Sequence, residues 1–147
     1  MKYSLLQLAN GENWPENDKK NFKARYTAAL GNYLIQELSK MLSEEQRREL
    51  VQKIQQENLS PNEVVDFYKS KLPEMDKIAE EKEEIFLQQF FIDLYTVMCT
   101  QIEAELKTES SEQDQLVQEL QTMQNVLQNA KDNNWHEVIT LLNTISY

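Results

Sequence analysis

The chain has 147 residues and a formal net charge of −10 at pH 7, with 40% apolar and 27% charged residues. That length fits one domain, and the composition is ordinary for a globular protein rather than a disordered or membrane-embedded one. Two glycines, three prolines and one cysteine argue against turn-rich β-sandwiches and exclude internal disulfides and thiolate-rich zinc sites.

In chain order, Met1–Trp14 reads as an N-terminal arm that docks through Tyr3, Leu5, Leu8 and Trp14, with a turn at Asn10-Gly11-Glu12-Asn13. Residues 15–147 read as the helical domain. Pro15 tolerates a first helical turn, and Glu16 and Asp18 suit a helix N-terminus. Phe22, Tyr26, Leu30, Tyr33, Leu34, Leu38 and Met41 then recur at steps of three and four, which predicts one buried helical face. Gly31 weakens that helix by up to ~1 kcal/mol relative to alanine, and is expected to mark a close helix crossing.

Ser43-Glu44-Glu45-Gln46 is a capping box, with a hydroxyl cap and a reaching side chain three residues on. It opens a second helix with Leu50, Val51 and Ile54 expected inward, Glu44–Arg48 and Glu49–Lys53 paired one turn apart, and Asn58 at its end. Ser60-Pro61-Asn62-Glu63 repeats the signal with proline at the first helical position. The third helix should bury Val64, Phe67, Tyr68 and Leu72. Pro73 stops it by excluding the residue before it from the α region.

A fourth helix is predicted from about Glu74 to Lys107, roughly 50 Å long at 1.5 Å per residue. It is apolar nearly all round between Ile85 and Cys99, so it is expected to be central and touched on several sides. Ser111-Glu112-Gln113-Asp114 begins a fifth helix with Leu116, Leu120, Met123, Leu127 and Ala130 inward. Asn133 or Asn134 caps a last one carrying Trp135, Val138, Ile139, Leu142 and Ile145. The expectation is an all-α, single-domain helical bundle of five to six helices with a long central helix at about residues 74–107.

The chemistry-bearing residues are few. One histidine, His136, leaves no histidine pair for a metal, and both a Ser-His-Asp and a Cys-His arrangement would have to use it. Beside Trp135 at a helix start, it reads as a surface residue. Cys99 lies in the most apolar stretch and reads as core. Two glycines cannot build a phosphate-cradling loop, and the alternating ligands of a calcium loop are absent. No catalytic set, metal or cofactor is expected, and the chain reads as a non-enzyme. Tyr3–Ala9 is too short for a signal peptide, and no run approaches the ~18–20 apolar residues of a membrane span. These features point to the cytoplasm.

Charge is unevenly spread. Residues 1–42 carry six Lys/Arg against four Asp/Glu, residues 73–107 three against nine, and residues 108–147 one against six. Glu80, Glu81, Glu83 and Glu84, with Glu103, Glu109, Glu112 and Asp114 further on, are the candidate partner-binding residues. The plainer reading of the run is a solvated helix end favoured by the macrodipole; Glu80 and Glu84, one turn apart, would make at most a weak divalent-metal site. An acidic surface speeds encounter with a basic protein. The leading expectation is therefore a protein–protein interaction module, working alone or as a homodimer: a small acidic inhibitor or immunity-type protein, a chaperone or an adaptor. The alternative is a helix-turn-helix regulator using helices at about 43–57 and 60–72, with Asn62, Tyr68, Lys69 and Lys71 on nucleic acid. Against it stand Glu63 and Asp66 on the same helix, because phosphate contacts supply most such affinity. Lys19, Lys20, Lys23 and Arg25 are the one basic cluster, expected to face acidic helices of the same molecule.

Overall fold

The structure, a computed structural model, describes residues 3–108 and 113–145. These form seven α-helices and no strand: α1 (Leu5–Leu8), α2 (Glu16–Met41), α3 (Glu44–Glu57), α4 (Pro61–Lys71), α5 (Met75–Leu106), α6 (Gln113–Lys131) and α7 (Trp135–Leu142). The all-α expectation holds. The helix beyond the expected five to six is α1, a single turn within the arm. Ser4 caps it, accepting from the Gln7 amide at 3.1 Å, while the Gln7 side chain accepts from the Ser4 amide at 3.1 Å.

The same reciprocal cap opens α3, through Ser43 and Gln46, and α4, through Ser60 and Glu63 with Pro61 at the first helical position. Each satisfies two amides that the helix start would otherwise leave unpaired. With so few glycines, asparagine takes the left-handed positions. Asn10, Asn58 and Asn133 have φ of 54°, 53° and 57°, a conformation asparagine tolerates better than other non-glycine residues. Asn58 ends α3 in this way. Asn134 precedes α7 without a capping bond; its side chain donates instead to Asn129 Oδ1 at 3.2 Å. The expected start of α6 at Ser111 and Glu112 lies outside the described residues.

The chain divides into two compact units, Met1–Arg25 with Leu87–Tyr147, and Tyr26–Phe86. In the first, Leu8, Phe91, Tyr95, Met123, Val126, Ala130 and Val138 are fully buried. Each large side chain taken wholly out of water contributes roughly 1.5–3 kcal/mol. α7 folds back on α6 after a short turn, and α1 lies against α7. The Tyr95 hydroxyl donates to the Leu8 carbonyl, which fixes α1 to α5. Gln88 Nε2 donates to the carbonyls of Ala130 and Lys131 at 3.2 and 3.0 Å, satisfying two acceptors at the open end of α6. Phe22 is the hub of an aromatic group, 5.5 Å from Trp14, 5.9 Å from Phe90 and 6.4 Å from Phe91.

The second unit is built around Leu38, Leu42, Leu50, Phe67 and Tyr68, with Leu59, Val64, Leu72, Met75 and Ile78 packed against them. Phe86 stacks obliquely with Tyr26 and Tyr33 at 5.5 and 5.2 Å. Two expectations fail here. Val51 and Ile54, taken as inward, are 52% and 43% exposed, because Leu50 is the one residue of α3 that the core buries. Gly31 marks no crossing: a Cβ there would meet nothing within 4 Å.

The helix expected to be central keeps a solvent face. In α5 the buried residues are Phe91, Tyr95, Cys99 and Ile102, at steps of four, four and three. Ile85 and Val97 are 55% and 53% exposed. The most buried residues follow one stripe, and half-buried Phe90, Leu94 and Met98 on one side and Ile92 on the other flank it.

Candidate functional site

Six of the eight carboxylates expected to bind a partner lie among the described residues. Glu80, Glu81, Glu83 and Glu84 belong to the second unit, and Glu103 and Asp114 to the first. Glu109 and Glu112 lie outside the described residues. Glu80, Glu81 and Glu84 are exposed on α5, while Glu83 is half-buried beside the Tyr26 phenol. Burial first, and then the Glu83 charge, push the Tyr26 pKa up to about 12. None of Glu80, Glu81 and Glu84 enters an ion pair found among the described residues, whereas Lys82, in their midst, pairs with Glu37 at 3.5 Å. Glu37 also pairs with Lys40 at 3.2 Å. The Lys40 hydrogen bond, followed by the Lys82 contact, holds its carboxyl below the ordinary carboxylate range.

Helices α3 and α4 do form a short-turn pair, but their candidate recognition residues are divided. Tyr68 is 3% exposed, and its hydroxyl shares a 2.9 Å hydrogen bond with Ser39. Lys71 pairs with Glu49 at 3.5 Å and sits 5.5 Å from the Phe67 ring centre. Asn62 and Lys69 alone of the four are exposed. A helix presenting these two beside exposed Glu63 and Asp66 has little to offer phosphate.

The expected pairing of the basic cluster with other helices is absent among the described residues: Lys19 pairs with Glu16 of its own helix at 3.4 Å, and Lys20, Lys23 and Arg25 are exposed. His136 is exposed at the start of α7. Cys99 is buried, and its thiol pKa is raised by burial and then by Glu103. Its burial fits the core position expected for it. No group of three or more His, Cys, Asp or Glu among the described residues could hold a metal ion. No described helix is long and apolar enough to cross a membrane.

The arrangement that sequence reasoning missed lies in the first unit. A cleft of about 230 Å³ is lined by Trp14, Met98, Gln101, Ile102, Glu105 and Glu119, closed at one side by the turn at Ala9 and Asn10. Gly11 sets the indole: a Cβ at that position would lie 2.7 Å from the Trp14 ring, so only glycine lets the ring rest there. Glu105 comes from α5 and Glu119 from α6. No local pattern announces the site, because its three elements lie apart in sequence, and nothing in the sequence distinguishes the exposed Glu105 and the half-buried Glu119 from the many other acids of the chain. Compared with protein families, with curated proteins and with solved structures, the chain matches none.

Proposed function

We propose that the chain is a non-enzymatic binding module for a basic protein, acting as a small acidic inhibitor or immunity-type protein, a chaperone or an adaptor. The observation that carries this reading is the exposed group Glu80, Glu81 and Glu84, which has no cationic partner among the described residues although Lys82 stands between them. Uncompensated like charges on a surface repel one another and are relieved by an incoming opposite charge, which also steers encounter. The net charge of −10 extends that attraction, within the limit that salt sets at about 8 Å under physiological conditions.

The test is capture from a native lysate at low and moderate salt. A partner of net positive charge is expected, with capture by the Glu80→Lys/Glu81→Lys/Glu84→Lys chain reduced by about tenfold and less salt-sensitive. Capture unchanged by that triple reversal removes the reading.

A further inference from the structure

We propose that the Trp14 cleft of the first unit is an arginine site, taking one guanidinium side chain of a basic partner; this deepens the reading of the chain as a module for basic proteins and rests on it. The cleft, about 230 Å³, is smaller than the 300–1,000 Å³ typical of drug-sized ligands, so it suits a single side chain. Its lining is divided as such a side chain requires. Trp14, Met98 and Ile102 offer apolar surface to a methylene stem, and Glu105 and Glu119 offer two carboxylates to its head.

Among the described residues, no lysine or arginine lines the cleft. The first unit carries seven Lys/Arg against twelve Asp/Glu, and none of those cations pairs with Glu105 or Glu119 among the described residues. Among the described residues, the hydrogen bond found to either carboxylate is from Gln115 Nε2 to Glu119 Oε1, at 3.5 Å. An anionic occupant would meet two like charges, and no group of three or more His, Cys, Asp or Glu among the described residues could hold a metal ion.

Arginine suits these walls better than lysine. The guanidinium is planar, stacks on aromatic faces, forks onto carboxylates and gives up water more readily than an ammonium. Preformed walls reduce the ordering cost of binding. Trp14 is seated against Gly11 and holds an edge-on contact with Phe22 at 5.5 Å, while Met98 and Ile102 project from α5.

The test uses the full chain and the tripeptide acetyl-Gly-Arg-Gly-amide. The probe is titrated at constant ionic strength while the indole N–H resonances of Trp14 and Trp135 are followed by NMR. One side chain should bind weakly, on the order of 1 mM. The expected result is a saturable shift confined to Trp14, weaker by about fivefold or more for the lysine tripeptide and absent for the citrulline one, which keeps the shape without the charge. Glu105→Gln/Glu119→Gln should weaken binding about tenfold or more with an unchanged melting midpoint. A citrulline response equal to that of arginine, no saturable Trp14 shift, or unchanged affinity in the double variant would each overturn the site. Reversal at Glu80, Glu81 and Glu84 should leave tripeptide binding intact. Loss of capture by that reversal with no tripeptide binding sinks the cleft alone, and tripeptide binding with reversal-insensitive capture sinks the α5 patch alone.

Discussion

The two units keep water out to different depths, although each is built of helices. In the first, seven residues from four helices have no exposed surface, and the polar atoms left at helix ends are taken up by Gln88 and Tyr95. In the second, every residue of the main cluster retains a little exposure, and Ile35, Met41, Val51, Ile54, Val65 and Ile85 stand largely in solvent. The second unit has more local chemistry: reciprocal caps on α3 and α4 against one on α1, one-turn ion pairs within α2 and α3, and the cross-helix pairs Lys71–Glu49 and Lys82–Glu37. Burial of a large side chain stabilises by kcal/mol, whereas each such local term supplies a few tenths to about one. One unit is therefore held by its core, and the other more by its ends and edges.

The strongest way to break that comparison is to truncate a ring. Phe91→Ala in the first unit should cost about 3–5 kcal/mol, because the void left among Phe22, Tyr95 and Trp135 cannot close. Ile54→Ala in the second should cost no more than about 0.5 kcal/mol, as for surface positions generally. Urea unfolding measures both. Losses of similar size would show that the exposed residues of α3 are covered in solution.

The two glycines sharpen the same contrast, one in each unit. Gly11→Ala drives a methyl into the Trp14 ring at 2.7 Å, and overpacking of this kind costs about 1–3 kcal/mol. Gly31→Ala meets open space, with an ordinary φ. It should stabilise α2 by up to about 1 kcal/mol, through the lower entropy of the unfolded chain and the better helix propensity of alanine. Thermal melting should shift the two variants in opposite directions. A loss on Gly31→Ala would restore the close crossing that the sequence suggested.

What could be read beforehand divides along physical lines. Caps and stops are local, so Ser43, Asn58, Ser60, Pro61 and Pro73 placed α3 and α4 to within a residue or two. Helical spacing identified Tyr26 and Leu38, Phe67 and Tyr68, and Val138 and Leu142 as core. It failed at Val51, Ile54, Ile85 and Val97, because periodicity shows which residues share a face and says nothing of whether another element covers it. It also missed Val126, fully buried in α6. The one-turn α1 escaped because a four-residue helix has no period to detect, although Ser4 and Gln7 carry the same cap as Ser43 and Gln46. The cleft residues Trp14, Glu105 and Glu119 are brought together by tertiary packing alone.

The smallest expected effect concerns acid, and it separates the units by their ion pairs. Among the described residues of the first unit, the ion pair found, Lys19–Glu16, lies within one helix. In the second, Glu37 on α2 meets Lys82 on α5 and Lys40 on its own helix. Its carboxyl pKa is lowered on folding, chiefly by the Lys40 hydrogen bond, so the folded state releases this proton more readily than the unfolded one. The resulting stability is present above the ordinary carboxylate pKa and is lost as pH falls through the depressed value in the fold. Exposure to solvent keeps the contribution small, and salt weakens it. Amide exchange in α2 and the first turns of α5 should therefore quicken on acidification in the parent chain and respond less to pH in Glu37→Gln, with the difference fading at high salt. α6 and α7 should show no dependence on that substitution. If acid loosened α6 and α7 through Glu37 as well, the two units would share one opening transition, and the contrast between a core-held and an edge-held unit would describe burial without describing stability.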